Sequence, residues 1–319
     1  MIVSASAAAG SSGTETSDGL ARPVDYGARR GAGSDRALVL GGGGIFFIAW
    51  QAGYLNGLLR RGVDVANAEI VVGTSAGAVV ASVLTAGRLA SFSREVGMLA
   101  RLNGVRDPIA RLRPSQQRAL QLFSEAGEAS PDTLRGIGFA ALAAKGEPAS
   151  ALRARVRLVL GLRSGKWPAP ALTIVTVDAY TAERLVLTGS AGVSVARAAA
   201  ASASVPGLFE PQPIRDRRCV DGGVSGSGIH ADLVAGARRA LVISLGASAP
   251  SGPGRVTVPA DGFDRELQQL ADAGTETLSR GPRDFDSSAL MSLKSVHEAL
   301  AMADDQAAED VAAVSAFWR

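Results

Sequence analysis

The stretch Gly73-Thr74-Ser75-Ala76-Gly77 carries the residue type and spacing most able to do chemistry. It follows a short apolar run, Ile70-Val71-Val72, and precedes an Ala/Val-rich segment from Ala76 to Ala86. That pattern predicts a strand, an abrupt turn and a helix, the setting of a nucleophile elbow. The reason for the spacing is steric. A serine on so tight a turn needs small neighbours two residues away on each side, and Gly73 and Gly77 meet that need. Ser75 would then stand at a strand end, with the N-terminal N–H groups of the following helix directed at the reacting centre. Five residues alone also fit a plain glycine-rich turn. The flanking strand and helix favour the elbow.

Two further stretches bear on that serine. Gly41-Gly42-Gly43-Gly44 lies between the apolar run Ala37-Leu38-Val39-Leu40 and a segment with helical spacing of apolar residues, Ile45 to Arg60. Glycines there let backbone N–H groups approach an anion. A phosphate-binding P-loop would need a Gly-Lys-Ser/Thr end, and a dinucleotide fingerprint would need a glycine where Phe46 stands. Neither is present, which leaves an oxyanion hole, worth about 2.7–4 kcal/mol per donor. The other stretch is Asp221-Gly222-Gly223 after Cys219-Val220, an aspartate at a strand end that is free to face a site. By itself it reads as a turn aspartate.

A serine nucleophile needs a base. The chain has two histidines. His230 lies close after Asp221 at the start of a segment read as a helix, and His297 sits mid-helix beside Glu298. Each is read as structural, although the order Ser, Asp, His keeps a triad through His230 open. The remaining solution is a dyad in which Asp221 accepts the serine proton, and that requires hydrogen-bond reach of Ser75.

Composition bounds the rest. The 319 residues are 47% hydrophobic, enough for a large core in one or two domains. Formal net charge is +3, close to balance, which does not mark a nucleic-acid binder. The single cysteine, Cys219, excludes an intrachain disulfide and a zinc cluster, and its apolar strand makes it a packing residue. The sequence holds no apolar run of transmembrane length, and its N-terminus makes a poor signal peptide, so the expected location is the cytoplasm.

The elements expected to position these residues run in order. Residues 1–35 are small and polar and are read as a disordered tail. Strands at 37–40 and 70–72, each followed by a helix, argue for a parallel sheet with helices on its faces. Residues 88–165, punctuated by Pro108, Pro114, Pro131 and Pro148, read as a helical insertion beside the site, or a lid. Within it, Arg153, Arg155 and Arg157 alternate with apolar residues. That is either a membrane-surface helix or, the favoured reading, the solvated face of a core-packed one. Leu172 to Val177 and Glu183 to Leu187 read as paired strands, Val193 to Ser204 and Ala231 to Arg239 as helices, and Ala240 to Leu245 as a buried strand. Residues 263–319 are read as C-terminal helices.

The order of glycine loop, Gly-Thr-Ser-Ala-Gly and Asp-Gly-Gly resembles the patatin-like phospholipase family. The likeness extends through Ser194-Val195-Ala196-Arg197, Ser204-Val205-Pro206-Gly207-Leu208-Phe209-Glu210-Pro211 and Ala231-Asp232-Leu233, and covers about residues 36–246. It implies a three-layer α/β/α sandwich with a mainly parallel central sheet, carrying a helical insertion, in a domain at 36–319. It also implies a serine lipid acyl hydrolase acting on fatty-acyl esters through an acyl-enzyme. Ser75 would be the nucleophile and Asp221 the base. Gly42, Gly43 and Gly44 would supply oxyanion N–H groups, with no metal or cofactor; peripheral contact with a membrane is left open by the sequence. One departure stands out. The family usually has Arg or Lys and then Gly where this chain has Phe46 and Phe47. The two rings fit either an acyl-binding pocket or a distorted oxyanion loop, and the second would make the protein a catalytically weakened lipid-binding or regulatory one.

Overall fold

The computed structural model describes residues 20–24, 26, 29–99, 112–248, 261–286 and 290–319. One eight-stranded sheet organises them. The strands are β1 (Arg36–Leu40), β2 (Ile70–Thr74), β3 (Leu172–Asp178), β4 (Arg184–Leu187), β5 (Gln212–Ile214), β6 (Arg217–Asp221), β7 (Arg239–Ile243) and β8 (Glu276–Arg280). Their spatial order is β5-β6-β3-β2-β1-β7-β8, with β4 also on β3. β3, β2, β1, β7 and β8 run parallel, whereas β4 and β6 pair antiparallel with β3, and β5 with β6.

The central strands are continuous apolar runs because both faces of the sheet are covered. Leu38, Leu40, Val71, Leu241 and Ile243 enter one core, and Ala37, Val39, Val72, Ala240 and Val242 enter the other. Helices α1 (Gly44–Arg60), α2 (Ala76–Thr85), α3 (Leu89–Leu99), α6 (Ala149–Leu160), α7 (Val195–Ser202) and α9 (Val296–Trp318) contribute to the first core. α8 (Gly262–Asp272) and the segment around Ile229–Ala237 cover the second. α1 and α9 meet along a close seam. A Cβ on Gly57 would lie 2.6 Å from Ala307 Cβ, and Trp50 Nε1 donates to Gln306 Oε1 at 3.0 Å. α4 (Pro114–Ser124) and α5 (Pro131–Ala143) form a smaller core at the end of the sheet, where Phe123, Ile137 and Ala141 meet Val177, Val220 and Val224.

Several expectations change. The segment 88–165 is helical where it is described, with 100–111 outside the described residues, and α3 and α6 pack into the main core. α6 buries Leu152, Val156 and Leu160 at successive turns and leaves its arginines on the solvent side, with Arg155 paired to Glu147. No helix among the described residues is long and apolar enough to cross a membrane. The C-terminal segment is not wholly helical, because β8 adds to β7 between α8 and α9. β8, Glu-Thr-Leu-Ser-Arg, is an edge strand with little burial, so it lacks the apolar signature of the inner strands. Ala231 to Arg239 holds only a short 3-10 turn at Ala231–Leu233, and Gly236 at φ 91° prevents a continuous helix.

The N-terminal reading also shifts. Residues 1–19 lie outside the described residues, but Leu20 onward is not a free tail. Ala21 N–H donates to Asp216 at 2.7 Å, Arg217 Nε donates to Ala21 O at 3.0 Å, and Val24 N–H donates to Arg184 O at 2.9 Å. The Tyr26 ring stacks 3.8 Å from the Arg184 guanidinium. Arg184 itself makes a two-pronged pair with Asp232 at 2.8 and 2.7 Å, and its side chain is 1% exposed. Asp232→Ala would strand that cation in the interior, and we expect a loss of about 3–5 kcal/mol in denaturant unfolding. A loss under about 1 kcal/mol would mean that the pair behaves as a surface one.

Candidate active site

Ser75 joins β2 to α2 with φ 54° and ψ −119°, a region that side-chain-bearing residues avoid at a cost of about 1–3 kcal/mol. Three features hold it there. A Cβ on Gly77 would lie 1.9 Å from Leu40 O, and one on Gly73 would lie 2.7 Å from Ala78 Cα, so both elbow glycines are sterically required. The Ser75 N–H donates to Ser202 Oγ at 2.9 Å, and Ser202 Oγ donates to Val175 O at 2.6 Å. α7 thereby ties the elbow to β3.

Asp221 reaches the serine through strand register. β4 occupies one edge of β3. On the opposite edge, β2 pairs as far as Thr74 with Val175, and the next residue of β3, Thr176, pairs with Asp221 of β6. β2 and β6 run in opposite directions, so their C-terminal ends meet on a shared template. Only glycine fits just beyond, because a Cβ on Gly222 would lie 2.5 Å from Val175 O and 2.8 Å from Thr74 Cγ2. The result is a hydrogen bond from Ser75 Oγ to Asp221 Oδ2 at 2.6 Å. Asp221 Oδ1 accepts the Gly223 N–H at 2.9 Å. Ser75 is 8% exposed and Asp221 1%. Burial pushes the Asp221 carboxyl up to about 7, and the bonds from Ser75 and Gly223 oppose that shift without cancelling it.

The glycine loop passes beside this pair. Its first residue is anchored at both ends, by Gly41 N–H to Ile243 O at 2.9 Å and by Gln51 Nε2 to Gly41 O at 2.8 Å. A Cβ on Gly42 would lie 3.2 Å from Ser75 Cβ, so the loop backbone runs against the serine. Among the described residues, no hydrogen-bond partner takes the N–H of Gly42, Gly43 or Gly44. Gly44 adopts φ 69° and leads into α1. Phe46 and Phe47 lie behind the loop as core residues and do not line an open acyl pocket. Phe47 is fully buried, stacked 5.7 Å from Trp50 and packed under Gly43, while Phe46 packs 5.9 Å from Phe285. They face the core because the first turn of α1 points that side toward α9 and the segment before it. Phe46 N–H is bonded to Leu290 O at 3.0 Å.

The patatin-like phospholipase family model matches residues 38–234, more than half of the chain and a span that contains the loop, the elbow and Asp221. The chain belongs to the patatin-like phospholipase family. That makes it a member of a family of lipid acyl hydrolases. Among solved structures, VipD from Legionella pneumophila is similar with a TM-score of 0.36 and 14% identity, over 86% of this chain and 68% of that one. The type III effector ExoU gives a TM-score of 0.35 and 16% identity, over 87% of this chain and 54% of that one. The ExoU–SpcU complex of Pseudomonas aeruginosa gives 0.31 and 17%, over 88% and 53%. This patatin-like chain therefore spans about half the length of ExoU. No curated protein sequence matches it.

The histidines of this patatin-like phospholipase stand apart from the pair. His230 is fully buried, its Nδ1 faces Arg184 at 3.5 Å, and its ring lies 6.4 Å from that of Tyr26. Burial, with the Arg184 charge adding to it, keeps it neutral. His297 is exposed on α9. Cys219 is buried in β6, where desolvation raises its thiol pKa far above the usual range, as a packing residue requires. Among the described residues no group of three His, Cys, Asp or Glu side chains gathers as a metal site. Two supporting residues escape sequence reasoning. Ser202 ends an alanine-rich helix and Gln51 sits inside α1, and neither position has a local pattern that points to a loop or elbow far away in sequence.

Proposed function

We propose that this chain hydrolyses fatty-acyl esters of lipids through a Ser75-Asp221 dyad and an acyl-enzyme. The observation that carries the reading is the 2.6 Å bond from Ser75 Oγ to a buried carboxylate, with no imidazole between them. In the first half-reaction Asp221 takes the hydroxyl proton as Ser75 Oγ attacks the ester carbonyl carbon. The carbonyl oxygen gains the electron pair and lies against the N–H groups of Gly42, Gly43 and Gly44, with the N-terminus of α2 adding positive potential. The tetrahedral adduct collapses, the alkoxide leaves, and protonated Asp221 returns the proton to it. In the second half, Asp221 takes a proton from water, the hydroxide attacks the acyl-Ser75 carbonyl, and the fatty acid departs as Ser75 regains its proton.

We favour this reading over the weakened-protein alternative on the placement of two residues and the loop. Phe46 and Phe47 are accommodated in the core, and Gly42 still abuts Ser75. A serine-reactive fluorophosphonate probe tests the reading. Labelling is expected in the full chain, absent in Ser75→Ala, and retained in His230→Ala together with turnover of p-nitrophenyl esters. Unlabelled wild-type protein would sink the hydrolase reading. Loss of turnover in a folded His230→Ala variant would replace the dyad by a triad.

A further inference from the structure

One well-connected carboxylate has no place in that mechanism. Glu266 projects from α8 into the loop that follows the Asp-Gly-Gly turn. Its Oε2 accepts the N–H groups of Gly228 at 2.9 Å and Ile229 at 3.2 Å. Its Oε1 accepts the Ser227 hydroxyl and, at 3.4 Å, the Ala231 N–H. Ser227 Oγ in turn accepts the His230 N–H at 2.8 Å. The donors of residues 227–231 thus converge on one side chain, a concave nest of N–H groups of the kind that binds anions. The occupant is supplied by the chain itself. Among the described residues its partners are these donors, with no ion pair to a basic side chain.

The position of this nest gives it a role at the site. The loop begins at Asp221 and Gly222, where β6 meets Ser75. Its other end packs on the oxyanion loop, because a Cβ on Gly41 would lie 3.4 Å from Gly228 O and 3.3 Å from Ile243 O. Gly228 therefore stands next to the start of Gly41–Gly44 with no room for a side chain to spare, and Glu266 fixes Gly228 through its N–H. α8 lies beyond the family-matched residues 38–234, so the element supplying the clamp is not part of the shared catalytic segment.

The geometry points to Glu266 as a positioning residue, which fixes the 227–231 loop and through it the placement of the Gly41–Gly44 oxyanion loop relative to Ser75. The inference rests on the reading of Ser75, Asp221 and that loop as the reacting centre. Its chemistry is purely electrostatic, and Glu266 never meets the substrate.

Two variants of the full chain separate positioning from stability. E266A removes all four acceptor contacts. E266Q keeps an oxygen for Gly228 and Ile229 and offers its NH2 to Ser227 Oγ, losing only the long Ala231 N–H contact, so it is the conservative rescue. Turnover is measured per site titrated with the fluorophosphonate, which discounts unfolded molecules. E266A is expected to lower kcat per titrated site by about tenfold to a hundredfold with KM within about twofold, and E266Q to recover most of it. Hydrogen exchange is expected to rise together in peptides covering 227–231 and 41–44. Unchanged kcat per titrated site, or exchange that rises only in 227–231, would overturn the inference. If E266A does not fold, E266D, whose shorter side chain draws the carboxylate back from the 227–231 donors, decides by the same exchange comparison. If the wild type takes no probe, the hydrolase reading has failed, and coupled exchange of the two loops still tests the clamp alone.

Discussion

Asp221→Asn is expected to lower kcat/KM for ester hydrolysis by about 10²–10⁴-fold, the range for loss of a positioned general base. The amide keeps the shape of the carboxylate and can still meet both Ser75 and Gly223, so the loss reports proton transfer and not a collapsed site. The wild type should betray the same group in its pH profile. Its base form requires an ionised Asp221, whose pKa burial raises to about 7. Below that value kcat/KM should fall about tenfold for each unit of pH, and above it the profile should level. An unperturbed carboxylate would place the inflection near pH 4, and a histidine base would leave His230→Ala without turnover. An inflection near 4, or an Asn variant with undiminished turnover, would exclude Asp221 as the base.

The elbow was legible because everything that makes it is local. Ile70-Val71-Val72, the two glycines and the Ala/Val run are contiguous, and each residue type answers a constraint within a few ångströms of Ser75. Asp221 is a different case. It lies 146 residues from Ser75, and nothing within its own segment distinguishes it from a turn aspartate. The resemblance in motif order pointed to it, whereas the physical cause of the pairing is the end-to-end meeting of β2 and β6 on β3, a register no local pattern encodes. The strands flanking the site followed from their unbroken apolar runs. β8 did not, since an edge strand with half-exposed Thr, Leu and Ser carries no such run. Residues 20–35 of the N-terminal segment depart from expectation for a related reason. Its hold on the body comes from backbone bonds to Asp216, Arg217 and Arg184 and from one tyrosine ring, all invisible to composition. Ser202, Gln51 and Glu266 share this character, because each is a single polar side chain whose partner is a backbone group distant in sequence. Phe46 and Phe47 were the opposite problem. Their deviation from the family pattern was plain, but whether they faced the substrate or the core depended on the direction in which α1 leaves the loop.

The same Asp221→Asn change that removes activity is expected to stabilise the protein above neutral pH. Unfolded, the Asp221 carboxyl titrates near the ordinary value of about 4, and folded it titrates at about 7. The native state therefore holds the proton more tightly than the unfolded one. The stability associated with that proton is fully present below about pH 4, is lost as pH rises through the interval up to about 7, and stays lost above it. A shift of about three units corresponds to about 4 kcal/mol between the two limits. An asparagine carries no charge to desolvate at any pH. Its Oδ1 can accept the Gly223 N–H while its NH2 donates to Ser75 Oγ, so the exchange of hydrogen bonds costs about 1 kcal/mol. Urea unfolding at pH 8.5 should show the variant more stable by about 2–3 kcal/mol, and the gap should close near pH 4. A gap that is independent of pH would place the carboxyl at its ordinary value and remove the reason for a rate inflection near 7. The two measurements are thus one claim. The burial that brings a carboxylate to Ser75 without an intervening histidine is also what raises its basicity, and under the proposed mechanism the folded chain would bear that ionised, desolvated group as a standing loss of stability at working pH.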